Sequence, residues 1–343
     1  MSQPFKLLLR APNWLGDHIL AIPLYDYLAT AARKEHVQIS LLHHPRINIE
    51  LPYFHEFIPL PMHTSYLSAE YWKWIALLKN RQFQTAVSLP SSHSALSLMA
   101  FCHIPQRIGF RDKSGSSLWL TESEVSWKRR DEHKSARYLR LARHLWFTQN
   151  TTPRRNLTSH FSLSSSLNQP TPTGPFHIIL APEASNPLRE WPFFLELALH
   201  LERAFPDARL TLVGQKSYHA WEGERVKRNA PWRNLIGQTS LADLRKIFRG
   251  AHLLVANDSG LGHLAAWVGL PSVLLFGPGR LSQVRPLSDH ALCLSLEGLL
   301  PCCPCDKTVC HRRYGYQTCL IRMKAPWVFE HCKAVLLRTY TPK

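Results

Sequence analysis

The stretch Leu253–Pro278, LLVANDSGLGHLAAWVGLPSVLLFGP, decides the reading of this chain. An apolar run, His252 to Ala256, has the length and composition of a buried strand. It turns through Asn257-Asp258-Ser259-Gly260 into a helix from about Leu261 to Val268, and Pro271 to Phe276 is a second apolar strand. The first N–H groups of a helix have no partner inside it, so a helix opening above a strand end favours a phosphate. Gly260 and Gly262 leave room for a diphosphate to approach, and His263 lies in the first turn, where its imidazole could donate to a phosphate oxygen. A blander reading stands beside it: Asp258 or Ser259 only caps the helix, and His263 packs against a strand.

Outward from this stretch the same strand–helix alternation recurs. Upstream, His177 to Leu180 and Arg209 to Val213 read as strands, and Trp191 to Phe205 and Ser240 to Arg249 as helices, the latter with Asp243 in its first turn. In the first half, Lys6 to Arg10 is a strand, Ala11 to Gly16 a turn, and Asp17 opens a helix. Val37 to Leu42 and Thr85 to Leu89 are further strands, with helices near Ala69–Lys79 and Lys134–Leu145. This pattern predicts mostly parallel sheets wrapped by helices. Between Thr148 and Pro175 the chain is rich in Ser, Thr, Pro and Asn, the composition of a linker, although its FSLSSSL leaves a short strand open. Two tandem α/β domains are expected, with a ligand cleft at their strand C-terminal ends.

A length of 343 residues suits two cores, and 45% hydrophobic residues exclude a disordered chain. Lys and Arg number 41 against 24 Asp and Glu, a net charge of +17 shared almost evenly between the halves. A confined basic tail is thereby excluded; an anionic partner or a solvated basic surface remain. Leu7-Leu8-Leu9 is too short for a signal peptide, and no run approaches the roughly 20 apolar residues that span a bilayer. A cytoplasmic protein in peripheral contact with a membrane surface is expected.

The segment NDSGLGHLAAWVGLPSVLLFGP resembles the donor-binding stretch of the ADP-heptose:lipopolysaccharide heptosyltransferases, glycosyltransferase family 9. The resemblance extends, in the family's order, over RAPNWLGDHILAIPL, PQRIGF, the helix from His133 to Leu145, LAPEASNPLREWP and NLIGQTSLADLRKIFRGAHLLVANDSG. It implies the GT-B architecture: two Rossmann-like domains facing across a cleft. Residues 1–160 would bind the acceptor and 161–343 the nucleotide sugar, with the C-terminal helix packing back on the first domain. It also implies metal-independent, inverting transfer of heptose from ADP-heptose to the lipopolysaccharide inner core, with no cofactor and no nucleic-acid partner.

Carried over residue by residue, Asp17 is the expected catalytic base, against a simple turn-and-cap role for Gly16-Asp17. Arg189 stands where the family usually has Lys, and is expected to hold the departing diphosphate, bidentately where Lys could not. Ser185, Asn186, Asp258, Ser259, Gly260, Leu261 and His263 are the expected donor contacts. Asn13, Arg111 and Lys128 are the expected acceptor contacts, the last two in a basic group with Lys113 and Trp127-Lys128-Arg129-Arg130. Glu183 departs from the family, which commonly has a small residue there; a carboxylate would repel a diphosphate unless it turns away or pairs with Arg189. Gln215 falls near the base or ribose of the donor.

Five of eight cysteines lie between Cys302 and Cys319. Cys302, Cys305, Cys310 and Cys319 could supply four thiolates to a structural zinc, or stand as reduced, buried thiols. Tyr66–Asn80 interleaves aromatics and lysines, fitting a membrane interface or a helix that covers the sheet. Other classes compete. A nucleotide-cofactor oxidoreductase needs a Gly-x-Gly-x-x-Gly turn after a strand, which the sequence lacks. A zinc-containing nucleic-acid-binding protein would use the charge and the cysteines.

Overall fold

The computed structural model describes residues 3–47, 49, 51, 54–61, 67–112, 115–125, 131–148, 174–215, 232–311 and 315–340. The chain divides into two compact units, Met1–His160 and Phe161–Lys343. The linker segment with FSLSSSL, and Lys113 and Lys128 of the basic group, lie outside the described residues.

Each unit is built on a six-stranded parallel sheet. In the first the order is β3-β2-β1-β4-β5-β6, from β1 (Phe5–Arg10), β2 (Val37–His43), β3 (Glu56–Pro59), β4 (Thr85–Ser88), β5 (Gln106–Arg111) and β6 (Glu122–Val125). In the second it is β12-β11-β10-β7-β8-β9, from β7 (His177–Ala181), β8 (Arg209–Leu212), β9 (Arg233–Asn234), β10 (Leu253–Asn257), β11 (Ser272–Phe276) and β12 (Ala291–Ser295). Counted within each unit, both follow the order 3-2-1-4-5-6 of the doubly wound nucleotide-binding sheet. The α/β class expected of both units is therefore what the chain adopts.

The sequence explains which strands are central. Every residue of β10 and β11 is buried, as their uninterrupted apolar runs require of strands covered on both faces. The core of the first unit packs Leu8, Leu42 and Ala86 of the sheet against Tyr71, Ile75 and Leu78 of α3 (Ala69–Lys79) and Leu96 and Met99 of α4 (His93–Phe101). Of the two readings of Tyr66–Asn80, its described part is thus a helix that covers the sheet. The core of the second unit packs Ile178, Leu180, Val255 and Val273 against Trp191 and Phe194. Val328, Cys332 and Leu336 of the final helix, Ala325–Tyr340, belong to that same core.

Two further expectations change. The helix expected over Lys134–Leu145 is α5 (Lys134–Arg140) followed by a tighter 3₁₀ turn, Leu141–His144. Gly262 does not serve ligand approach: a Cβ there would lie 2.9 Å from Leu274 Cδ2 and 3.1 Å from its Cδ1, so the glycine lets its helix sit on β11. Gly262→Ala should destabilise the fold by about 1 kcal/mol, overpacking outweighing the gain in helix propensity. Urea unfolding measures this; a stabilised variant with weakened nucleotide binding would restore the ligand-approach reading.

Candidate functional site

In open α/β sheets of this order, ligands bind at the strand C-terminal ends where the order reverses. In the second unit that point lies between β7 and β10, and the segments following both strands carry the expected donor residues.

Asn257 ends β10 with no exposed surface and ties the two segments together. Its Nδ2 donates to the Pro182 carbonyl at 2.7 Å, and its Oδ1 accepts the Trp191 N–H at 3.0 Å. The Trp191 indole in turn donates to the Met323 carbonyl at 2.7 Å. Between Pro182 and Trp191, Asn186 Oδ1 accepts the Leu188 N–H at 3.0 Å and opens the short turn Pro187–Arg189. Glu190 Oε1 accepts the Ala184 N–H at 3.2 Å. The loop is held at both ends, and Arg189 Nη1 comes to 3.2 Å from Asp258 Oδ2.

Asp258 is buried, its backbone N–H donating to the Leu275 carbonyl at 3.0 Å. A Cβ on residue 279 would lie 2.6 Å from Asp258 Oδ2, so Gly279 makes room for this carboxylate. Ser259 stands at the N-cap of the helix Gly260–Val268 in extended conformation, yet its side chain caps nothing. Its Oγ is buried and makes no hydrogen bond among the described residues. The capping alternative thus fails for Ser259, whose side chain accepts from none of the N–H groups that open the helix. Gly260 and Leu261 are half-buried in the first turn, His263 is buried beyond them, and Ser185 is exposed on the β7 loop.

Glu183 resolves its own difficulty. Its Oε2 accepts the Gln215 N–H at 2.8 Å at the end of β8, and a Cβ at Gly214 would meet its carboxylate carbon at 2.7 Å. The carboxylate is turned to that loop. Gln215, expected near the base or ribose of the donor, spends its backbone N–H on this bond.

In the first unit the order reverses between β1 and β4. The segment after β1 leads into α1 (Leu15–Leu20), with Asp17 half-buried in its first turn. Lys134 Nζ donates to Asp17 Oδ1 at 2.7 Å. Asn13 is exposed, and its Oδ1 accepts from the buried guanidinium of Arg10. Arg111 is exposed at the end of β5, on the same edge of the sheet two strands from β1. Burial pulls the Arg10 guanidinium down to about 10.

His18 sits beneath this loop with no exposed surface. Burial, then the neighbouring charges of His43 and Arg10, push its imidazole down to about 3. The folded chain therefore keeps His18 neutral while the unfolded chain protonates it below about 6.5. Stability should fall as pH drops from about 6.5 towards 3, on the order of 1 kcal/mol per unit from this group. Urea midpoints between pH 7 and 4 should show this slope, and His18→Leu should flatten it; an unchanged slope contradicts the assignment.

All eight cysteines are free thiols. Cys303 is buried, its Sγ donating to the Gly277 carbonyl at 3.2 Å, and burial and then Cys319 push its thiol up to about 12. Among the described residues no three His, Cys, Asp or Glu side chains assemble a metal-holding group, Cys302, Cys305, Cys310 and Cys319 included.

The 3-2-1-4-5-6 sheet order, with an arginine paired beside the helix start at the switch point of the second unit, defines a class: α/β proteins with the doubly wound sheet of nucleotide-binding folds. Comparison with known proteins narrows this. Residues 71–314 match the model of glycosyltransferase family 9 (heptosyltransferase), and the chain belongs to that family. It is 27% identical to lipopolysaccharide heptosyltransferase 2 of Escherichia coli (strain K12), over 97% of this chain and 99% of that protein. The solved structure of E. coli ADP-heptose lps heptosyltransferase II shares its fold with TM-score 0.72 at 24% identity, covering 98% and 99% of the two chains. E. coli heptosyltransferase WaaC with ADP-2-deoxy-2-fluoro heptose aligns with TM-score 0.65 at 18% identity over 96% and 99%.

Proposed function

We propose that this glycosyltransferase moves heptose from ADP-heptose to the inner core of lipopolysaccharide, with inversion and without a metal. The observation that carries the reading is the pairing of Arg189 with Asp258 at the start of the helix Gly260–Val268, which the Ser259 side chain does not cap. The ADP moiety and heptose are taken from what the similar WaaC structure is described as holding, and the acceptor from the name of the E. coli relative.

In this reading the donor's diphosphate lies against the N–H groups following Ser259, with Arg189 and His263 sharing its charge. Those fixed donors supply the charge compensation that a divalent cation would otherwise bring. Asp258 orients Arg189 and accepts from hydroxyls of the sugar, while Ser185 and Asn186 flank it. Asp17 takes the proton of the acceptor hydroxyl as that oxygen attacks the anomeric carbon opposite the diphosphate. The bond from the anomeric carbon to the diphosphate oxygen breaks, ADP leaves with the electron pair, and the anomeric configuration inverts. Asn13 and Arg111, with Lys128 outside the described residues, are the proposed contacts to the anionic acceptor. The net charge of +17 supports peripheral contact with the anionic inner face of the cytoplasmic membrane. No helix among the described residues is long and apolar enough to cross a membrane.

Calorimetric titration with ADP, UDP and GDP and their sugars tests the donor. ADP-heptose should bind most tightly, with EDTA leaving both binding and transfer unchanged. A preference for a uridine or guanosine donor would overturn the assignment.

A further inference from the structure

We infer that Lys134 is a positioning residue for the reaction, holding the Asp17 carboxylate in the orientation in which it accepts a proton. The inference rests on the proposed role of Asp17 as base.

The two residues stand 117 positions apart in sequence and meet at 2.7 Å, with side-chain exposures of 21% and 28%. Helix stability does not explain the lysine. It is the first residue of α5, where the positive end of the helix dipole disfavours a cation. The helix start has its own cap, His133, whose Nδ1 accepts the Ser135 N–H at 3.3 Å. Fold stability does not demand the pair either, because a partly exposed ion pair contributes only about 0–1 kcal/mol.

What the contact does is occupy one carboxylate oxygen. Oδ1 is held by the ammonium, and Oδ2 has no hydrogen-bond partner among the described residues. A carboxylate at the mouth of a loop can rotate; one tethered through Oδ1 presents Oδ2 in a fixed direction. Of the titratable groups packed nearby, Tyr25 of α2 (Ile22–Lys34) and Tyr138 of α5 feel the Asp17 charge, with Arg10 of β1 acting on Tyr25 and Arg137 of α5 on Tyr138. Lys134 alone among them forms an ion pair with Asp17 in the described residues. It works through Asp17, with no contact to the reacting atoms required of it.

The test uses the full chain with Lys134→Met, Lys134→Arg, Asp17→Asn and the Asp17→Asn/Lys134→Met double variant. Lys134→Met should lower kcat by about 10–100-fold, the penalty of a misplaced catalytic group, with donor and acceptor KM within about 2-fold and thermal unfolding unchanged. Lys134→Arg should recover most of that loss. In the Asp17→Asn background, Lys134→Met should cost little more, because residues acting as one unit are not additive. Wild-type kcat in Lys134→Met, with Asp17→Asn inactive, overturns the positioning role alone. A raised acceptor KM at intact kcat overturns it in favour of an acceptor contact. Full turnover in Asp17→Asn removes the base itself, and the positioning role with it.

Discussion

Asp17→Asn is expected to lower kcat by at least about 10³-fold, in the upper part of the range that general-base catalysis supplies. The amide is nearly the same size and can still accept from Lys134 Nζ, so the local structure around the 2.7 Å contact should survive. What it cannot do is take up the acceptor's proton. Donor binding should be unchanged, because Asp17 belongs to the first unit and Arg189, Asp258 and the helix Gly260–Val268 to the second. Steady-state kinetics with calorimetric donor titration separates the two effects. Turnover near wild type would remove Asp17 from the mechanism, and lost donor affinity would show that the substitution acts through structure.

Arg189→Ala should weaken donor affinity and transfer together. Loss of one fixed donor to a developing anion typically costs about 10²–10³-fold in kcat. Here the loss has a second component. Asp258, with a side chain only 4% exposed, would lose the guanidinium 3.2 Å from its carboxylate. Its negative charge would then face the incoming diphosphate with less compensation. Arg189→Lys should recover part of the function, restoring the charge without the planar fork. Unaffected donor affinity in Arg189→Ala would count against its leaving-group role.

The parts of this site that read from sequence are those in which neighbours in the chain are neighbours in space. Leu253–Pro278 is strand, turn, helix and strand in order, and its apolar runs set which strands are central. Asp258, Ser259 and Gly260 needed only the start of that helix to be placed. What stayed hidden depends on side chains far apart in sequence. Asn257 read as one residue of a turn, yet its amide bonds residues 75 and 66 positions away. Its one local signal was a polar residue ending a wholly apolar strand. Glu183 and Gly214 are uninformative separately, and only the register of β7 beside β8 brings them together. Lys134 lies in a helix that amphipathicity alone places, and nothing local marks its reach to Asp17. Spacing cannot tell a glycine facing a diphosphate from one facing a core side chain, and at Gly262 it is Leu274 that a Cβ would meet.

The most direct test incubates the purified chain with ADP-heptose and a lipopolysaccharide acceptor lacking the heptose, and reads the product by mass spectrometry and anomeric NMR. The expected product carries one added heptose with its anomeric configuration inverted relative to the donor, in a reaction that depends on Asp17 and persists in EDTA. Retention of configuration, or transfer only from another nucleotide sugar, would contradict it.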